Sequence, residues 1–347
     1  MKLNHDIKIS AIICCYHGVK TVYNALLSLS KQSLSKELFE IIVIDNGSVD
    51  GSSNVIDLFR RNSNLANLKI IRIQNEGLSN ARNKGFSVAE GEIVFYMDDD
   101  AYAEEECLEI ILDTFAINNK VNVVGGSVGI LNEDSNFAQL YHNSIFRYWI
   151  ERVGIIIGTN MSFRKSLLYK SGGFIKDLKY RGDESAFFEK NKNIISSFIN
   201  PSILVYHTQP EKLKAFLKSR YENGRAKAFL KLTFNNKSKV KKKEICIFLI
   251  RFYTSGIGFG VVMLTSFLLE LNSIFYNFFI MLMILRYLVH HDLKGSLSVY
   301  LNTNVKDKNM LRIPYIFLFI TIGNWLEDIG FSTHFISTIF KRRKNIK

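Results

Sequence analysis

The chain has 347 residues, 47% of them hydrophobic and 22% charged, which excludes general disorder and allows one large domain or two. Its formal charge is +13, but the basic residues gather beside long apolar runs, a pattern that suits an anionic membrane face and argues against a nucleic-acid partner. The four cysteines show no metal-ligand spacing and point to a reducing compartment. The first apolar run, Ile9 to Cys15, is shorter than the core of a secretory signal, so the amino-terminal part is expected in the cytosol.

Ile7 to Cys15 reads as a first strand, and Val19 to Ser30 then carries Val22, Leu26, Leu27 and Leu29 at helical spacing. Glu40 to Ile44 is a second strand ending at Asp45. Turn formers from Asn46 to Ser52, with Asp50 as a cap, lead into a helix bearing Val55, Ile56 and Phe59. Leu68 to Ile73 is a third strand. Asn75-Glu-Gly then enters a helix in which the small Ala81 and Gly85 can approach a sheet while Arg82 points elsewhere. Gly91 to Met97 is a fourth strand, and it ends in Asp98, Asp99 and Asp100. A helix over Ala103 to Ile117 is expected next, with Glu104 to Glu106 in its first turn, which places the acids on a strand-to-helix loop. This alternation indicates an α/β fold, a mostly parallel sheet covered on both faces, whose ligands bind at the carboxyl edge of the strands.

Three adjacent carboxylates repel one another unless a cation compensates, and hard oxygen ligands suit Mg²⁺ or Mn²⁺. Together with Asp45 and Arg82 they supply the parts for a nucleoside diphosphate: carboxylates for the base or ribose, a guanidinium and a metal for the pyrophosphate. Further on, Ile155 to Ile157 is expected as a strand before Gly158-Thr-Asn160-Met, and Asp183 and Glu184 begin a helix at the mouth of a cleft. Ile203 to Tyr206 is a strand that ends in His207, a candidate third metal ligand. A rival lies in Gly125-Gly-Ser127-Val-Gly129, which matches the nucleophile elbow of a serine hydrolase, with Asp183 and His207 following in hydrolase order. The elbow needs a strand, a sharp turn and a helix, whereas Ser127 to Leu131 has no helical periodicity and reads as strand continuation.

Five ordered segments, Ile42-Val-Ile-Asp45-Asn-Gly-Ser, Asn75-Glu-Gly with Ala81-Arg-Asn-Lys-Gly, Phe95-Tyr-Met-Asp98-Asp-Asp100, Gly158-Thr-Asn-Met and Gly182-Asp-Glu184, resemble the motifs of family 2 glycosyltransferases. The resemblance covers residues 7 to 232, including Tyr221-Glu-Asn-Gly-Arg225. It implies a GT-A fold, a nucleotide-sugar donor with UDP or dTDP favoured, a divalent metal, Mn²⁺ or Mg²⁺, and inversion at the anomeric carbon. It further implies that Asp45 contacts the base and Asp98 the ribose, that Asp100 and His207 hold the metal, and that Arg82, Asp99, Asn160 and Arg225 complete the donor site. Glu184 or Asp183 would be the general base; the family more often has Glu-Asp where this chain has Asp183-Glu184. His17 also stands where the family usually has Asn after Tyr16. Membrane attachment through the apolar tail, described next, is the reason to expect a glycan or lipid-linked acceptor in cell-envelope polysaccharide synthesis; a homo-oligomer is allowed for, and the alternatives are a non-catalytic nucleotide-binding homologue and a nucleotidyltransferase.

The expected domains are a catalytic part over 1–232, a basic linker over 233–244 and a hydrophobic helical region over 245–347. Lys227 to Lys243 holds seven lysines and no acid. Ile245 to Leu269 follows, with Arg251 its only charge, and then Leu271 to Val289. This reads as a hairpin over 245–289 with both basic ends inside. Residues 313–333 read as an interfacial or re-entrant helix. The expected location is the cytoplasmic face of the membrane, through two transmembrane helices, or through peripheral or monotopic attachment.

Overall fold

A period of two in the first strand, β1 (Ile9–Cys15), divides the core into two layers. Ile9, Ala11, Ile13 and Cys15 turn to one face of the sheet, where α1 (Val22–Ser30), α2 (Ser52–Asn62) and α4 (Cys107–Ile117) cover them; Ile12 turns to the other, under α3 (Leu78–Val88), α7 (Lys165–Ser171) and α8 (Asp183–Asn191). The remaining strands are β2 (Phe39–Asp45), β3 (Leu68–Arg72), β4 (Ile93–Asp98), β5 (Ala101–Ala103), β6 (Val123–Ile130), β7 (Met161–Arg164) and β8 (Ser197–His207), and the remaining helices α5 (Asn136–Tyr141), α6 (Arg147–Glu151) and α9 (Leu213–Phe234). This computed structural model describes residues 7–63, 65–151, 153–176, 178, 181–234, 322–324, 326–334 and 337.

The sheet has eight strands in the order β3-β2-β1-β4-β7-β6-β8-β5. The pairs β1 with β2, β1 with β4, β2 with β3 and β6 with β8 are parallel, while β7 runs antiparallel to β4 and β6, and β5 antiparallel to β8. It is a mixed, mostly parallel α/β sheet of the GT-A kind. At the end of the sheet remote from the acids, a buried carboxylate ties three strands together. Glu40 accepts from the Ser10 hydroxyl at 2.6 Å and the Glu90 amide at 2.6 Å, and pairs with Lys69 at 2.7 Å.

Three local expectations are corrected. Residues 155–157 are not a strand; the chain turns at Gly158 to Asn160 and the strand is β7, which starts at Met161. The acids do not lead directly into a helix, because Ala101 to Ala103 is captured as an edge strand by β8, and α4 begins only at Cys107. The hydrolase elbow is absent: Gly125 to Gly129 lies inside β6, and Ser127 is an ordinary strand residue.

The described residues fall into two units, one drawn from Met1–Asp134, Trp149–Lys179 and Asp183–Gln209, the other from Ser135–Tyr148, Tyr180–Gly182 and Pro210–Lys347. In the second, Phe216 of α9 packs against Phe137 and Tyr141, and α9 meets the helical residues of 322–334 backbone to backbone, since a Cβ on Gly224 would run into the Glu327 carbonyl. Arg220 donates to Asn324 at 2.8 Å and pairs with Glu327 at 2.5 Å.

The expected location through two transmembrane helices is overturned. Among the described residues no helix is long and apolar enough to cross a membrane. At 22 residues α9 has the length, but Lys214, Lys218, Arg220, Glu222, Arg225 and Lys227 would have to enter the hydrocarbon. The hairpin read over 245–289 lies outside the described residues, as does the part of 313–333 that precedes residue 322.

Candidate active site

The antiparallel pairing of β5 with β8 puts Ala101 opposite His207 and so brings Asp100 beside that histidine. The Thr208 amide donates to the Asp100 carbonyl at 3.2 Å and locks the register. His207 Nε2 lies 3.0 Å from Asp100 Oδ1 and 3.7 Å from Asp98 Oδ2. One ligand atom from each of Asp98, Asp100 and His207 falls within 4.8 Å of the others, all three side chains being partly exposed. Two carboxylate oxygens and an imidazole nitrogen meeting at one accessible point are a donor set that fits a divalent cation of the Mn²⁺ or Mg²⁺ type. Burial raises the Asp98 pKa, opposed by Arg82 and His207, and the neighbouring Asp100 raises it further.

The middle acid lies in the turn that follows β4 and makes its contacts with the end of β1. Asp99 accepts from the Tyr16 amide at 3.3 Å and from the Cys15 thiol, and burial together with repulsion from Asp100 and Asp98 pushes it up to about 7. Burial also raises the Cys14 and Cys15 thiols above their ordinary value, which disfavours the reactive thiolate. His17 is in the left-handed region at φ 60°, its amide donating to Ser48 at 3.1 Å. That backbone favours Asn but accepts His.

Arg82, on α3, does not point to solvent. It is 2% exposed, pairs through Nη1 with Asp183 at the start of α8, and reaches Asp98 through Nη2 at 3.4 Å. Glu184 lies 3.9 Å from Nη1, with its side chain about a quarter exposed at 24%, whereas that of Asp183 is 4% exposed. Burial and the adjoining Asp183 charge push Glu184 up to about 8, against the pull of Arg82. The cation-ligand cluster and the carboxylate pair thus share a single guanidinium.

Asp45 ends β2 in a buried position, accepting from the Ser48 amide at 3.1 Å and from the Ser53 hydroxyl. Asp50 is not the cap expected of it: the N-cap of α2 is Gly51, and Asp50 precedes it, accepting from the Ser52 amide at 3.1 Å and the Val19 amide at 3.2 Å. Asn160 sits inside the sheet, its amide donating to the Ser127 carbonyl at 2.8 Å and the Ile203 carbonyl at 3.1 Å, across the register shift between Gly126 and Ser127. Arg225 belongs to the second unit, with its guanidinium 5.9 Å from the Tyr221 ring centre. The structure therefore brings together Asp98, Asp100, His207, Arg82, Asp183 and Glu184, and adds Asp98 to the two ligands named from the motifs.

A family model, Glycosyl transferase family 2, matches residues 10–172. A cholesterol galactosyltransferase of Borreliella burgdorferi is 35% identical over 115 residues, 33% of this chain and 31% of that protein. The next two curated relatives are covered over 64% and 24% of their lengths. Among solved structures, a mannosyltransferase of Pyrobaculum calidifontis, in complex with GDP-Man and Mn²⁺, superposes with a TM-score of 0.53 at 16% identity, over 87% of this chain and 88% of that one. Staphylococcus aureus TarS 1–349, in complex with UDP-GlcNAc, gives 0.50 at 19% identity over 96% and 92%. At such identities these two speak for the fold alone. With the ordered motifs, the sheet and the carboxylate cluster in place, residues 10–172 are similar to glycosyl transferase family 2.

Proposed function

We propose that the protein is a metal-assisted, inverting glycosyltransferase that moves a hexosyl unit from a nucleoside-diphosphate sugar to a hydroxyl of a glycan or lipid-linked acceptor. The observation that carries this reading is the convergence of Asp98, Asp100 and His207 with the Asp183–Glu184 pair around Arg82. Asp98, Asp100 and His207 would hold the cation, which when bound supplies positive charge against the leaving diphosphate. An alcohol is a weak nucleophile until a base takes its proton as it attacks. Glu184 is partly exposed and has a raised pKa near neutrality, the combination a general base needs, while Asp183 is committed to Arg82. Asp45, the last residue of β2 and anchored by Ser48 and Ser53, would meet the donor's base. A single displacement inverts the anomeric carbon and needs no protein nucleophile.

The relatives' names and the nucleotide-sugar complexes of the two structural neighbours support a nucleotide-sugar donor. UDP- and dTDP-sugars are the first to test. The full-length protein is incubated with a panel of nucleotide sugars and Mn²⁺, and the released nucleotide is identified. Nucleoside diphosphate is expected. Release of pyrophosphate, or no turnover and no binding across the panel, would overturn the reading.

A further inference from the structure

Asp98 on β4 and Glu184 on α8 come from distant parts of the sequence, yet donor and acceptor must be held at one separation for in-line transfer. Arg82 stands between them. Its Nη1 is bonded to Asp183, and its Nη2 faces Asp98 at 3.4 Å and donates to the Gly158 carbonyl at 3.3 Å. Its Cζ lies 5.8 Å from the ring centre of Tyr96 and 5.6 Å from that of Phe174. The Tyr96 hydroxyl in turn donates to the backbone carbonyl of Arg82 at 3.1 Å, which fixes this turn of α3 against β4. Gly158 leaves the space the guanidinium occupies, since a Cβ there would come within 2.8 Å of Nη2.

Both terminal nitrogens of this enclosed guanidinium are engaged by protein oxygens, Nη1 by Asp183 and Nη2 by Asp98 and Gly158. To reach a diphosphate it would have to abandon Asp183, leaving a buried carboxylate uncompensated, a state that is strongly unfavourable. We infer that Arg82 is a positioning residue that acts through Asp183 and Asp98, setting the separation between the cation ligands and Glu184, and that it does not bind the donor's diphosphate. This inference rests on the glycosyl-transfer reading above. A lysine cannot substitute, because one ammonium lacks the planar fork that serves several carboxylates at once.

The test compares wild type with Arg82→Met, Arg82→Lys, Asp183→Asn and the Arg82→Met/Asp183→Asn double variant, all full length, with circular dichroism as the control for folding. Affinities for UDP and UMP in Mn²⁺ are measured by calorimetry, or for GDP and GMP if the active donor is a GDP-sugar. The preference for diphosphate over monophosphate should stay within about twofold of wild type in every folded variant, and the donor KM should move little. The kcat of Arg82→Met should fall roughly 100-fold or more, the pattern of an interaction that matters only in the transition state. Arg82→Lys should recover less than about a tenth of the lost rate. The double variant should be no worse than the poorer single, because residues acting through one another are not additive. Collapse of the diphosphate preference, or losses that multiply, would overturn the inference. If Arg82→Met alone does not fold, the double variant removes both buried charges and carries the same binding comparison. A wild type that turns over no nucleotide sugar removes the glycosyl-transfer reading and this inference with it. An active wild type whose variants lose the diphosphate preference removes this inference alone.

Discussion

His207 Nε2 lies 3.0 Å from Asp100 Oδ1 because the backbone pairing of two strand ends sets Ala101 opposite His207. The proposed cation site is thus made by sheet register. Replacing the imidazole should leave that register intact and remove only a ligand.

His207→Ala is therefore expected to keep the fold and lose Mn²⁺ affinity. Loss of a group one shell further out costs about 10–100-fold in metal affinity, so loss of a ligand should be at least as severe. Calorimetric titration of Mn²⁺ checks this, and an unchanged affinity would remove His207 from the site. Chelation with EDTA should abolish turnover in wild type, and added Mn²⁺ should restore it.

The raised pKa of Glu184, about 8, predicts the direction of the pH profile. A general base works when deprotonated, so kcat/KM should rise about tenfold per pH unit below that value and level off above it. Glu184→Gln should lose roughly 10²- to 10⁴-fold in rate and flatten this limb. A profile that falls between pH 6 and 8 would count against Glu184 as the base.

Glu40 predicts a loss of stability with no loss of chemistry. It is 1% exposed and receives Ser10, the Glu90 amide and Lys69 at the end of the sheet remote from Asp98. Glu40→Ala leaves those partners unmatched, and breaking a buried ion pair costs about 3–5 kcal/mol. Because Lys69 is part-exposed, the lower end of that range is expected. Urea denaturation measures the loss, while nucleotide affinity of the folded fraction should be unchanged.

Gly126 stands at the register shift between β6 and β8, where a Cβ would run into the Ile203 carbonyl and approach Asn160 Nδ2 at 2.5 Å. Both obstacles are held in place, the first by backbone and the second by its bonds to two strands. Gly126→Ala should destabilise by about 1–3 kcal/mol, the usual cost of overpacking. A thermal melt at wild-type Tm would show that the bulge can relax.

Much of the amino-terminal half was legible in the residues. The apolar runs from Ile9 to Cys15 and those ending at Asp45 and Asp98 marked strands, two of which carry acids at their ends, because each run has the length of a buried strand and is too short for a helix. The carboxyl-edge placement of Asp45 and the acids after β4 followed from the strand and helix alternation. The reading failed at Ile155 to Ile157, where β-branched composition resembled a strand but, among the described residues, no strand pairs with it.

Legible in the residues alone, then, were the first four strands, the residues available for chemistry and the edge on which the acids sit. Only the tertiary structure decided that Ala101 to Ala103 is a strand, since three residues carry no period and owe their conformation to hydrogen bonds with β8. It likewise decided that Asp98 joins Asp100 and His207, and that Arg82 turns inward to Asp183. A charged side chain on a helix faces water by default. It is drawn inside only where buried carboxylates from other parts of the chain are already waiting, and no local pattern records them.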